Sequence, residues 1–401
     1  MNKKIELLAP AGDLEKAKTA IRFGADAVYL GGKRFSLRSR ASNFDIEDIA
    51  EACKFAKAYG ARIHVTVNMI PHEEDLEGIE DYLKTLEKIG VTAIIVASVA
   101  IIEIAKKVAP KLEVHLSTQM STTNLQAIEF YRQLGVDRVV LARECDMEEI
   151  KFLATHSPLP IEAFIHGGMC VNYSGRCTLS NQMTFRDANR GGCAQSCRWK
   201  YHLFANGKEV SKEECLFSMS SKDLMAVDYV YDMMASNVAS LKIEGRMKTN
   251  YYIATVVKTY RMLIDEIAQT GSNLSAQRLA YYRQQIAKAE NRPCADGFYG
   301  GLPTHHTHLY GVNGAGVTHD FVGLVLAYDE TSKMAKIQSR NVFKIGDELE
   351  VFGPHINDEP FTVEKIFDQD GQEIAISNRP MATVYVPLAF KVEPLDMIRR
   401  R

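Results

Sequence analysis

The sequence predicts an α/β fold: a (β/α)8 barrel of the TIM type with a cysteine-rich insertion after strand seven, then a small C-terminal β-barrel. Three observations predict it. Apolar strand-like runs alternate with helical runs eight times within residues 1–268, the count and length of such a barrel. The strand runs lack clean period-two alternation, as parallel strands covered on both faces do. From residue 316 onward helical periodicity gives way to short strands split by turns.

The units follow in order. A strand over 5–9 precedes a helix over 13–23, with Asp13 as N-cap and Gly24 at its end. Strand 27–30 precedes helix 46–59, which Gly60 closes, and strand 63–67 precedes helix 74–89, which Gly90 closes. Strand 93–97, helix 100–108, strand 114–116 and helix 125–134 come next, with Gly135 at the last end. Strand 138–141, helix 148–154 and strand 161–165 lead into the insertion, residues 166–220. A helix over 223–234, a strand over 239–243 and a helix over 251–268 complete the barrel. An open doubly wound sheet is the alternative, but no G-x-G-x-x-G turn follows the first strand. Residues 269–315 read as a linker with one helix over 279–289. Within 316–401, strands are expected over 322–327, 335–337, 348–351, 362–366, 373–376 and 383–386.

The 401 residues are 46% hydrophobic with a net charge of −2. That is an ordinary globular composition with no global attraction to nucleic acid. No signal-peptide pattern opens the chain, and its most apolar run, 94–104, is too short to span a membrane. A cytoplasmic location without membrane attachment is therefore expected.

Half of the eight cysteines, Cys170, Cys177, Cys193 and Cys197, fall in a C-x6-C-x15-C-x3-C pattern. In a reducing compartment, thiols so clustered point to metal or redox chemistry rather than disulfides. Four soft thiolates suit an iron–sulfur cluster, and structural zinc stays open because spacing alone does not separate them. Cys215 competes with Cys197 as fourth ligand. Cys53 and Cys294 read as ordinary thiols, and Cys145 follows strand six.

Barrel active sites lie where strands end, so the residues after each strand are the site candidates. They are Lys33, Arg34, Arg38 and Arg40, then Asn68, then Ser117, Thr118 and Gln119. Arg143, Glu144, His166, Glu244, Arg246 and Lys248 complete them. With Arg176, Arg186, Arg190 and Arg198 of the insertion, this end is strongly cationic. Arginine pairs with carboxylate and phosphate through two donors, so a small anionic organic acid, an RNA backbone or both suit Arg38, Arg40, Gln119, Arg143, Arg176, Arg246 and Lys248. His166, Glu244 and Arg246 are the candidates for proton handling. Trp199 and Tyr201 offer rings for a base or a lid over a cluster. His305, His306 and His308 lack acidic partners nearby. The chain carries neither H-E-x-x-H nor G-x-S-x-G, and Lys200 interrupts the C-x3-C-x2-C triplet of radical S-adenosylmethionine enzymes.

The run from Glu162 through His166, Gly167 and Cys170 to Tyr173, Gly175, Arg176, Cys177 and Ser180 resembles the hallmark of the collagenase-like peptidase family. Leu8–Gly12, Gly24–Tyr29, His115–Gln119 and Leu241–Arg246 resemble it too. Within the family, Gly192-Cys193, Cys197-Arg198-Trp199, Ser221–Leu224 and Lys242–Lys248 are most similar to the branch that hydroxylates tRNA. The resemblance implies oxygen-independent conversion of a wobble uridine to 5-hydroxyuridine, with prephenate as hydroxyl source. It also implies a 4Fe-4S cluster on the four cysteines, and the C-terminal barrel, similar to the family's accessory domain, is expected to help hold RNA. Collagenase-like proteolysis and hydroxylation of ribosomal RNA are the alternatives, and a second subunit of the same family stays open.

Overall fold

The computed structural model describes residues 5–37, 43–212, 216–289, 292–309 and 321–401. It divides into two compact units, Met1–Gln285 with Arg292–Ala315, and Ile286–Asn291 with Gly316–Arg401.

In the first unit eight strands run parallel: β1 (Glu6–Pro10), β2 (Ala27–Gly31), β3 (Arg62–Val67), β4 (Ala93–Val96), β5 (Glu113–Leu116), β6 (Arg138–Val140), β7 (Ile161–Gly167) and β8 (Ser240–Ile243). Closure decides the fold class. Leu241 of β8 pairs with Leu7 of β1 on one side and with Ala163 of β7 on the other, so the sheet returns on itself. The open-sheet alternative is thereby excluded.

The helices between strands begin where short polar side chains cap them. Asp13 accepts from the Lys16 amide, Asp45 from Asp48 and Asn124 from Ala127, each satisfying an amide the helix leaves free. Asp146 and Glu149 form a capping box. The helix Ile79–Lys88 buries Ile79, Leu83 and Leu86, an i, i+4, i+7 stripe against the sheet.

Two expected helices are corrected. The one read over 74–89 is a 3-10 turn, Glu73–Leu76, and a separate helix, Ile79–Lys88. Gly78 between them takes φ 76°, which ends one and starts the other. The one read over 223–234 opens as a strand, Asp223–Met225, and only Val230–Ala235 is α-helical. Leu224 and Met225 pair antiparallel with Gly167 and His166, and Asp223 and Leu224 pair parallel with Cys294 and Ala295. Residues 294–295, read as linker, therefore extend the barrel sheet.

The second unit is an antiparallel six-stranded sheet curled into a half-barrel. Its order is Glu359–Thr362, Glu348–Phe352, Met397–Arg400, Phe321–Asp329, Met334–Ser339, Thr383–Pro387. Val322, Val325, Ile337, Val351, Val384 and Ile398 fill its core. The strand read over 362–366 lies earlier, and Val363 and Ile366 serve as core residues outside any strand. The run 373–376 contributes only Ile376–Ser377, paired with Phe343–Lys344.

Candidate functional site

The insertion after β7 lies as a hood over the strand ends. Ile70, beyond β3, donates its amide to the Asn189 carbonyl at 3.0 Å, and Arg190 reaches Asp75 at 2.5 Å. Beyond β5, Ser121 donates to the Ser174 carbonyl at 2.6 Å. Gly175, at φ 73°, lies so close that a Cβ there would stand 1.9 Å from the Gln119 carbonyl oxygen, so only glycine fits. Beyond β6, Glu144 accepts from the Ser174 amide at 3.0 Å and Arg143 Nη1 donates to the Gly168 carbonyl at 2.5 Å. Beyond β8, Glu244 accepts from the Gly168 amide at 3.1 Å. The exits of β3, β5, β6 and β8 thus hold the loop that leaves β7.

Cys170, Cys177, Cys193 and Cys197 all lie in this hood as free thiols, Cys170 and Cys193 at its surface and Cys177 and Cys197 half-buried. Loss of water around its sulfur pushes the Cys197 thiol up to about 11, with Cys170, Cys193 and Cys177 adding to the rise. Desolvation likewise raises Cys170, and Cys177 and Cys193 add to it. Cys170 and Cys197 therefore feel their neighbouring thiols, and a cationic centre among them would reverse that repulsion. Asn172 donates to Cys177 Sγ at 3.2 Å, and Arg198 and Arg143 set positive charge near Cys197 and Cys170. Cys53 and Cys145 are buried apart, their thiols raised to about 11 and about 12 by desolvation.

Beneath the hood, charged groups gather around Gly168. A Cβ on Gly168 would meet Glu244 Oε2 at 3.2 Å, Arg198 Nη2 at 3.4 Å and Asp223 Oδ1 at 3.8 Å. Lys248 Nζ donates to Asp223 Oδ2 at 3.3 Å, and Arg292 stands 3.7 Å from Oδ1. Burial raises the Asp223 carboxyl above its ordinary range, against the pull of Lys248. His166 is buried, with its Nδ1 3.4 Å from the Tyr260 hydroxyl. Burial, aided by Lys248, lowers its pKa to about 3, so the ring is neutral near pH 7. Arg143 Nη2, Glu144 Oε2 and Asp223 Oδ1 are buried without a hydrogen-bond partner among the described residues. Buried polar atoms cost free energy unless paired, so a polar ligand at this rim would satisfy them.

The structure sorts the expected site residues. His166, Glu244, Lys248, Arg143 and Arg198 come together around Gly168 and Asp223. Gln119 accepts from Asn68 at 2.8 Å, and Arg176 donates to Ser121 at 3.2 Å on the outer side of the hood. Arg246 is buried in the loop after β2. Its Nη1 donates to Ser36 Oγ and the Leu37 carbonyl and its Nη2 to Asn43 Oδ1, so it organises that loop. Arg34 reaches the Glu77 carbonyl and Arg190 the Asp75 carboxylate, outside this group. Arg186 donates to the Cys193 carbonyl at 3.5 Å. Arg38, Arg40 and Cys215 lie outside the described residues. His305 and His306 lie in a 3-10 turn with their ring centres 3.8 Å apart and tilted by 41°.

Sequence reasoning missed Asp223, Tyr252 and Tyr260. Asp223 sat inside an expected helix, and the Ser221–Leu224 run was its only signal. Tyr252 packs its ring 5.9 Å from that of His166, from the helix expected over 251–268.

Comparison with known proteins completes the site. The pattern of peptidase family U32 matches residues 12–309, and that of the peptidase family U32 C-terminal domain matches residues 317–399. A Bacillus subtilis protein named tRNA hydroxylation protein P1 is 48% identical, covering 100% of this chain and 96% of its own length. An Escherichia coli 23S rRNA 5-hydroxycytidine synthase is 40% identical over 68% of this chain and 41% of its own length. A Porphyromonas gingivalis protein named Collagenase is 32% identical over 98% of this chain and 97% of its own.

Proposed function

The chain belongs to peptidase family U32, and on that premise we propose that it is an RNA-hydroxylating enzyme. Its substrate is the wobble uridine of tRNA, its product 5-hydroxyuridine and its hydroxyl donor prephenate. Cys170, Cys177, Cys193 and Cys197 hold a 4Fe-4S cluster. The observation that carries the reading is a four-thiol hood over a barrel mouth in a chain similar along its whole length to a tRNA hydroxylation protein.

The donor set fits the cluster. Among the described residues no three His, Cys, Asp or Glu side chains are gathered closely enough for a single ion. Cys170 and Cys197 are nevertheless raised in part by the neighbouring thiols. Four soft thiolates, one for each iron, are the donor set such a cluster takes. When bound, the cluster supplies electron transfer.

The protein's own groups supply the rest. Arg143, Arg198 and Lys248 offer cations to a dicarboxylate, and the rim atoms without hydrogen-bond partners orient it. Asp223 and Glu244 are placed to hold or pass a proton at their carboxyl oxygens. His166, 1% exposed with Tyr260 at its Nδ1, is poorly placed as a protease base, which favours hydroxylation over proteolysis.

The test is anaerobic purification followed by iron and sulfide quantification and a visible spectrum. About four of each per chain, with a broad band near roughly 400 nm, is expected. Incubation with unmodified tRNA and prephenate should then yield 5-hydroxyuridine on nucleoside analysis. A product confined to ribosomal RNA would move the substrate, and peptide cleavage without any RNA product would sink the reading.

A further inference from the structure

The hood carries more than thiols. Of seven large aromatic side chains exposed among the described residues, four lie in this insertion: Tyr173, Phe185, Trp199 and Phe204. Phe185 is 94% exposed, so its ring forgoes the burial that normally stabilises a phenyl group. It also caps the short helix Leu179–Thr184 at φ 56°, ψ 26°, a left-handed conformation that bulky residues rarely adopt. Residues held in strained backbone conformations cluster at catalytic and binding sites.

The segment that carries Phe185 is anchored to the thiol-bearing loops. The Arg186 guanidinium donates to the Cys193 carbonyl, and the helix Leu179–Thr184 packs on the turn Ser196–Arg198, which contains Cys197. Trp199 follows Cys197 by two residues and is 42% exposed.

Charge favours one partner. Residues 166–220 carry seven Lys and Arg against four Asp and Glu, a local +3 in a chain of −2 overall. Arg176, Lys200, Lys208 and Lys212 form no ion pair among the described residues, and the nearby Glu209 is taken by His202 at 2.6 Å. Residues 316–401, by contrast, carry ten Lys and Arg against fourteen Asp and Glu. The acidic C-terminal unit is thus a poor electrostatic holder of RNA, and the hood is the better one.

We propose that the hood is the docking surface for a single-stranded RNA segment: Phe185 and Trp199 stack on unpaired bases, and Arg176, Lys200, Lys208 and Lys212 follow the phosphates. Exposed rings interleaved with cations are how proteins grip unpaired nucleotides, because every base offers a face while duplex bases are already stacked. The proposal rests on the RNA reading above and names where that RNA sits.

The test uses the anaerobically purified full chain and a fluorescein-labelled RNA hairpin with a seven-nucleotide loop, read by anisotropy. Phe185→Ala should weaken binding about 5- to 100-fold. Phe185→Tyr should restore most of it, and the visible spectrum should stay that of the wild type. Phe152→Ala, an exposed ring outside the hood, should change nothing. Unchanged affinity in the Phe185→Ala, Trp199→Ala double variant would overturn the proposal. So would equal affinity for a blunt duplex, or a change of sedimentation with unchanged RNA binding, which would make the patch a contact between copies. Wild-type protein that hydroxylates RNA while the double variant keeps its affinity refutes the docking surface alone. Ring-dependent RNA binding without any hydroxylation refutes the enzymatic reading alone.

Discussion

Lys242 Nζ donates to Glu162 Oε1 at 2.7 Å at the seam where β8 meets β7, with neither side chain more than 5% exposed. The pair belongs to a buried ionic layer inside the barrel. Arg138 bridges Glu162 at 3.1 Å and Glu6 at 2.5 Å, and Ser240 donates to Glu6 at 2.8 Å. Lys242 also lies 4.6 Å from the centre of the Tyr29 ring. Five strands therefore meet through charges and rings where such barrels usually carry branched apolar side chains.

Lys242→Met should destabilise the barrel strongly. Removing one partner leaves Glu162 buried with less compensation, which costs on the order of 3–5 kcal/mol. Denaturant unfolding followed by circular dichroism measures it, and an unshifted midpoint would show that the layer does not hold the seam.

Acid should weaken the fold in two stages. His64 is fully buried, and burial lowers its pKa from 6.5 to about 3. Its folded pKa is depressed, so its stabilising contribution is complete above pH 6.5 and is lost as pH falls toward about 3, because the unfolded chain takes the proton first. Burial alone would raise Glu162, but Lys242 and Arg138 hold it below its ordinary 4.5, so its contribution is lost only below that pH. Each unit of separation is worth about 1.4 kcal/mol. Thermal midpoints across a pH series should fall below pH 6.5 and more steeply below 4.5, and His64→Gln should shrink the first stage without abolishing it, because buried His115 and His166 are depressed as well. A flat profile down to pH 4.5 would contradict the His64 assignment.

Cys170→Ala, Cys177→Ala, Cys193→Ala and Cys197→Ala should each lower iron content and visible absorbance and abolish RNA modification. Cys53→Ala should leave both unchanged, since that thiol is buried apart from the hood. A Cys197→Ala protein with its full iron complement would transfer the fourth position to Cys215.

Arg143→Lys should separate charge from geometry. Nη1 holds the Gly168 carbonyl while Nη2 is buried at the rim, and a single ammonium does not do both. The KM for the organic acid should rise about 10- to 100-fold, the worth of one charged hydrogen bond. An unchanged KM would place the acid elsewhere.

Much of the fold was legible because it is local. Asp13 reads as a helix cap and caps its helix, whereas the Asp45 and Asn124 caps emerge only in the structure. The elements that misread are those that pairing overrides. Asp223–Met225 looked helical, but strands from either side claim its backbone. No strand is expected after 383–386, yet Met397–Arg400 is a central strand in which buried Arg399 meets Glu350 at 2.6 Å and Asp358 at 2.7 Å. An arginine's burial depends on carboxylates about 40 to 50 residues away, which no local pattern reports.

By itself the sequence determined the number of strand–helix units, the Asp13 cap with the glycines that close several helices, and the clustering of four thiols in one insertion. These follow from near-neighbour chemistry: periodicity, capping and spacing. Only the tertiary structure decided that β8 closes on β7, that the hood lies across the ends of β3, β5, β6 and β8, and that Asp223 joins Glu244 and Arg198 around Gly168. Each of those depends on backbone and charge pairings between residues far apart in the chain, whose energies exist only once the chain has folded back on itself.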